Sequence, residues 1–175
     1  DWLLINFGWG FAVFAGVYVG HASGAHLNPA VTLGMLAGQE PEYAPGVAIS
    51  VASTLVYIVA QMVGAFVGAV VCWLAYKKHF DAAGRDGVPT IDVFSTGPEI
   101  RSHGWNFLTE VIATFVLVYV ILVFGETPSA LGPLAVGVLV VAIGMSLGGP
   151  TGYAINPARD LGPRIAHAVL PIPGK

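Results

Sequence analysis

Two short segments set the strongest constraint on what this chain can fold into. Ser23-Gly24-Ala25-His26-Leu27-Asn28-Pro29-Ala30-Val31-Thr32 matches Thr151-Gly152-Tyr153-Ala154-Ile155-Asn156-Pro157-Ala158-Arg159-Asp160 position by position, with Gly second and Asn-Pro-Ala sixth to eighth. Asn is a preferred helix N-cap and Pro a preferred first helical residue, so each Asn-Pro-Ala reads as a helix start. The apolar segments that follow, Pro29 to Gly38 and Pro157 to Leu170, are shorter than the about 20 residues that a bilayer crossing needs. Pro163 is expected to interrupt the second of them.

The rest of the chain places these helix starts at membrane depth. Of its 175 residues 55% are hydrophobic and 10% charged, where a soluble domain carries about 25% charge. Four stretches have the length and apolarity of spans: Trp2 to Gly20, a subset of Pro45 to Tyr76, Asn106 to Phe124, and Leu131 to Gly149. The first third of the second stretch, after Pro41 and Pro45, is expected at the interface or in a turn. A polar stretch, Lys77 to His103, separates the two copies. The organisation expected is therefore one domain over 1–175, with a first repeat over about 1–76, a linker at 77–103 and a second repeat over about 104–175. The chain enters Trp2-Leu3-Leu4-Ile5 directly after Asp1 and closes on Leu170-Pro171-Ile172-Pro173-Gly174-Lys175, which suggests that segments are missing at both ends. One missing helix in each half would make the repeats inverted, and their half-helices could then meet N-terminus to N-terminus at the midplane. Irregular backbone inside a bilayer is tolerated only where it is buried or lines a water-filled path. Two such turns predict a pathway between the halves.

Composition excludes other classes. A net charge of −3 with scattered Lys and Arg offers no nucleic-acid surface. No zinc-type His spacing, phosphate loop or nucleophile with a placed base is present, so no enzyme, metal or cofactor is expected. The single cysteine, Cys72, lies in an apolar run and reads as helix packing.

The paired Asn-Pro-Ala motifs, with Ser-Gly-Ala-His-Leu before the first and Arg-Asp after the second, resemble the aquaporin superfamily (major intrinsic proteins). The resemblance implies an all-α membrane protein with an inverted repeat, spanning helices and two re-entrant half-helices, the family's first and sixth helices having no counterpart here. It also implies a multi-pass protein of the cell membrane, a homotetramer embedded in the lipid bilayer with one pore per subunit. Asp160 directly after Asn-Pro-Ala-Arg resembles the glycerol-facilitator (aquaglyceroporin) branch. That branch passes glycerol and water and excludes ions and protons.

The residues suggest how a filter could work. Asn28 and Asn156 can each accept a backbone N–H through the side-chain oxygen, leaving the NH2 to donate into the lumen. The two helix N-termini add roughly half a positive charge each, opposing cations and proton hopping. Arg159, in an otherwise apolar segment, is expensive there and marks a pathway or pairs with a buried acid. By resemblance Arg159 belongs to the narrow filter, with Trp9, Gly144 and Tyr153 at its other positions. Gly144 then leaves room for a second aromatic ring, and no His occurs between Leu131 and Gly149 to narrow the place. Trp9 also suits an interfacial anchor. The carbonyls of Gly24, Ala25, His26 and Leu27, with those of Tyr153, Ala154 and Ile155 opposite, would form a ladder of acceptors that replaces lost water. His26 offers a carbonyl or a bracing ring.

Asp160 and Arg164, four apart, can pair on one helix face, as a family marker or a local stabiliser. Glu110, inside a span, has two readings: proton coupling, or acceptance of backbone N–H groups that hold the second turn, as the family does. Alternatives to glycerol conduction are a water-selective channel, passage of dihydroxyacetone, urea or undissociated lactic acid, and a proton-coupled carrier using Glu110. The connection from the first half-helix to Gln61 is longer than the family pattern, which is expected to affect a loop and not the pore. Lys77, Lys78, Arg85 and Arg101 lie in the linker, which the positive-inside rule places in the cytoplasm and the family outside.

Overall fold

Asp1 caps the first helix by accepting from the Leu4 amide at 3.4 Å, and nothing breaks the apolar run until Gly20. The computed structural model describes residues 1–124, 127 and 130–175. Among these, α1 covers Trp2–Val19, α2 Pro29–Ala37, α3 Val51–Ala75, α4 Lys77–Arg85, α5 His103–Phe124, α6 Pro133–Leu147 and α7 Pro157–Val169. A two-stranded hairpin, β1 at Glu42–Ala44 and β2 at Val47–Ala48, follows α2. The helices α1, α3 and α5, of 18, 25 and 22 residues, reach about 27, 37 and 33 Å at ~1.5 Å per residue. That is the scale of a ~30 Å hydrocarbon core. Their outer faces are apolar and uncovered. Val59, Val63, Val67 and Val71 form an exposed stripe at four-residue spacing along α3, which water would penalise and acyl chains would not.

Two expectations are corrected. The stretch 131–149 yields a helix of only 15 residues, about 22 Å long. Gly132 with φ +51 and Pro133 start it late, and the chain turns away at Gly148. The second half-helix is not interrupted either. It runs for 13 residues through Pro163. The proline removes only the one bond that its missing N–H would have made to the Arg159 carbonyl, four residues upstream.

Glycines let the helices meet backbone to backbone. A Cβ on Gly10 would strike the Gly137 carbonyl, and one on Gly137 would strike that of Gly10, which fixes α1 against α6. Gly34 of α2 lies under Val118 of α5, and Gly162 of α7 lies against Met62 and Ala65 of α3. These two glycines occupy the same place after their respective Asn, so each half-helix docks on a long helix of the other repeat. The linker also folds back: α4 carries a Lys77–Asp81 ion pair, which holds the Asp81 carboxyl below its usual range. Phe80 and Phe94 pack at 5.4 Å in a cluster with Ala69, Ala166, Leu170 and Ile172.

Candidate functional site

Both irregular turns have the same backbone. Gly24, Ala25 and Leu27 have φ of +77, +50 and +55, and Gly152, Tyr153 and Ile155 have +77, +41 and +41. Positive φ on four non-glycine residues costs on the order of 1–3 kcal/mol each and persists only where the surroundings over-determine it. Reversing the sign of φ along the turn re-aims successive peptide carbonyls, which a regular helix or strand cannot do.

The over-determination comes first from the asparagines. Asn28 Oδ1 accepts from the Ala30 amide at 2.9 Å, and Asn156 Oδ1 accepts from Ala158 and Arg159 at 3.0 and 3.2 Å. Each carboxamide then reaches across: Asn28 Nδ2 donates to the Ile155 carbonyl at 2.7 Å, and Asn156 Nδ2 donates to the Leu27 carbonyl at 2.8 Å. The expectation of a wholly free NH2 is thereby corrected. One N–H of each amide ties the two turns together, and the other stands outside that tie. The Leu27 and Ile155 carbonyls are correspondingly shared with this tie, while those of Gly24, Ala25, His26 and Ala154 lie in the same turns outside it.

Each turn has a different brace. Glu110 of α5 accepts from the Thr151 hydroxyl at 2.5 Å and the Ala154 amide at 3.0 Å through Oε1, and from the Ile155 amide at 2.8 Å through Oε2. All the bonds run into the carboxylate, as bracing requires. At the first turn His26 Nε2 donates to the Tyr43 carbonyl at 3.0 Å, and Nδ1 pairs with the Thr32 hydroxyl at 2.9 Å. The imidazole is flanked by Tyr43 and Tyr57 at 5.2 and 4.7 Å, and the Gln61 amide joins Thr32 at 3.0 Å. The long connection after α2 is therefore part of the first turn's support, not a detached loop. Its hairpin carries Tyr43, which is 2% exposed.

The four residues expected to form a filter lie together. The Arg159 guanidinium sits 4.0 Å from the Trp9 ring centroid, within cation–π range. Tyr153 packs in a slot on α6 made by Gly144 and Gly148: a Cβ on either would strike its ring. Trp2 closes the slot edge-on at 5.8 Å. Trp9, Leu27, Asn28, Tyr153, Asn156 and Arg159 all line one cavity of about 840 Å³. It therefore passes both Asn-Pro-Ala starts and the arginine.

Asp160 and Arg164 do pair, with Nη2–Oδ2 at 3.1 Å. They also clamp the linker. Asp160 Oδ1 accepts from the Thr96 amide at 2.9 Å, and Arg164 Nη2 donates to the Thr96 carbonyl at 2.8 Å. Thr96 and Tyr43 carried no signal in the sequence. Asn6 did: an amide inside an apolar span is costly and normally has a job.

The family model described as "Major intrinsic protein" matches residues 1–170. The chain is 52% identical to "Glycerol uptake facilitator protein 3" of Lactiplantibacillus plantarum, covering 99% of this chain and 70% of that one. It is also 52% identical to "Glycerol uptake facilitator protein" of Bacillus subtilis, over 99% of this chain and 61% of that one. A solved structure described as the aquaglyceroporin from Plasmodium falciparum superposes with a TM-score of 0.76 at 32% identity, over 94% of this chain and 66% of that chain. The half-helices starting at paired Asn-Pro-Ala motifs, the uncovered apolar spans and these likenesses agree: the chain belongs to the major intrinsic protein family and is a multi-pass, all-α membrane protein.

Proposed function

We propose that this chain forms the body of a passive channel for glycerol, and with it water, in the cell membrane. The observation that carries the reading is the filter's two-sidedness. Trp9 and Tyr153 offer ring faces and edges to carbon-bound hydrogens, while Arg159, the free N–H of each asparagine and the turn carbonyls meet hydroxyls. A polyol has this same division along its length. Relatives named as glycerol uptake facilitators, about half identical over nearly the whole chain, support the solute class. Residues 1–175 act as one channel domain built from two repeats, assembled as a homotetramer.

Cations are excluded by Arg159 and by the two helix N-termini, whose partial charges face the tie between the asparagines. The Glu110 carboxylate already holds two amides and a hydroxyl, so bracing suits it better than carrying protons. A narrow water channel fits less well, because Gly144 is the residue that gives Tyr153 its slot. Undissociated lactic acid is a second solute to try, since a relative at 41% identity is named a D/L-lactic acid transporter.

Stopped-flow light scattering on proteoliposomes of the full-length protein tests the proposal. Glycerol entry that is fast, unsaturated and indifferent to a pH gradient is expected, with a loss on substituting Arg159 or Tyr153. Water flux without glycerol entry would overturn the glycerol reading, and flux driven by a pH gradient would overturn the passive one.

A further inference from the structure

Behind the filter lies a polar corner that the conduction path does not use. Asn6 of α1 is wholly buried, and neither its Oδ1 nor its Nδ2 has a hydrogen-bond partner. The Tyr153 hydroxyl is likewise buried and unpartnered. Gly144 lies between the two. A Cβ there would strike Asn6 Oδ1 on one side and Tyr153 Cζ, the carbon bearing the hydroxyl, on the other. Both atoms lie less than 3.0 Å from that same point, so even a methyl group has no room there. Buried polar groups in proteins are almost always paired, and in a bilayer no bulk water is at hand to substitute. Asn6 does not line the cavity, whereas Tyr153 does.

We propose that Asn6 is a positioning residue of the filter: its carboxamide holds the Tyr153 hydroxyl through one bridging water, and so fixes the ring that sets the aperture. The inference rests on the reading of Tyr153 as a filter wall. The Gly144–Gly148 slot gives the ring its plane, and Trp2 limits its tilt, but neither can fix how far it slides along the slot. A directional bond at the ring's far end does so. The pairing also explains a tyrosine at this place, because a phenyl ring would fill the slot equally well and leave Asn6 without its partner.

A double-mutant cycle on the full-length protein in proteoliposomes tests this, with Asn6→Leu, Tyr153→Phe and the pair together. The quantity read is the permeability to a four-carbon polyol divided by that to glycerol, normalised to reconstituted tetramer. A hydrogen bond of ordinary strength predicts that each single change raises this ratio about 2- to 10-fold, with the double no higher than either single. Ratios that stay at wild type in folded singles, or effects that multiply in the double, would overturn the proposal. Where Asn6→Leu does not reach the membrane, Asn6→Ser, too short to reach the hydroxyl, takes its place under the same criteria. If the wild type passes no polyol, the glycerol reading fails by itself. The cycle is then read on the ratio of urea to water permeability, where non-additivity supports the tie and additivity overturns it.

Discussion

Replacing Glu110 with Gln changes one oxygen to NH2 and removes one charge, at the point where the second turn is held. The carboxylate serves Thr151, Ala154 and Ile155 at 2.5, 3.0 and 2.8 Å. A carboxamide keeps one oxygen, so at least one backbone N–H must face an NH2. Leaving that amide unsatisfied costs about 1–3 kcal/mol. Turning the remaining bonds from charge-assisted to neutral ones removes on the order of 0.5–1 kcal/mol more for each. The total, about 2–5 kcal/mol, falls on a turn that already holds Tyr153 and Ile155 at positive φ, strain of roughly 1–3 kcal/mol apiece. The loss is of the same size as the strain, so the turn should relax and carry Tyr153 and Arg159 out of register. Glycerol permeability per reconstituted protein should drop by about 30-fold or more, since 1.4 kcal/mol is tenfold, and thermal unfolding in detergent should shift downward. Glycerol flux and melting temperature both at wild-type values would refute the bracing argument. A variant with intact flux but altered response to a pH gradient would instead support the proton-coupling role of Glu110.

Gly144→Ala should push Tyr153 toward the lumen, because the new methyl collides with both the ring and Asn6. At the ~1–3 kcal/mol typical of overpacking, glycerol permeability measured in proteoliposomes should fall at least fivefold relative to water. Asp160→Asn loosens the clamp on Thr96, and because the pair is partly exposed, the cost is held to about 1 kcal/mol. A small drop in melting temperature with an unchanged glycerol-to-water ratio is expected, and a changed ratio would give Asp160 a direct part in selectivity. Gly162→Val drives a side chain into Met62 and Ala65 of α3, so less folded protein should be recovered on size exclusion.

The asparagine caps, the half-helices and the long spans were legible because each depends on local chemistry: a capping carboxamide, a proline at the first turn, an uninterrupted apolar run. The pairing of Asp160 with Arg164 was legible for the same reason, being set by helix geometry alone. What was not legible depends on neighbours far along the chain. The Asn28 amide finds its acceptor 127 residues away, and no periodicity encodes that. Tyr43 reaches His26 only because the hairpin after α2 folds inward, which its short strands gave no reason to expect. The continuation of α7 past Pro163 reflects packing on α3 outweighing one lost bond. Asn6 stood in plain view as an amide in a span, but its closeness to Tyr153 required the Gly144 gap to be seen in three dimensions.

The reciprocal ties between the turns bear on how such a chain is made. Asn156 Nδ2 bonds Leu27 O across 129 residues, and Asn28 Nδ2 bonds Ile155 O across 127. During synthesis the first turn therefore enters the bilayer with the Asn28 NH2 and the Leu27 carbonyl still waiting for a counterpart. The first half caps α2 and braces His26 by itself, but the partners of that NH2 and that carbonyl lie in the second, and Gly34 of α2 lacks its seat until α5 arrives. Completion of the first turn thus waits on the second, and contacts of such separation are slow to form. Until that event the unfinished first half carries unmet polar groups inside the membrane, where no bulk water replaces the missing partners.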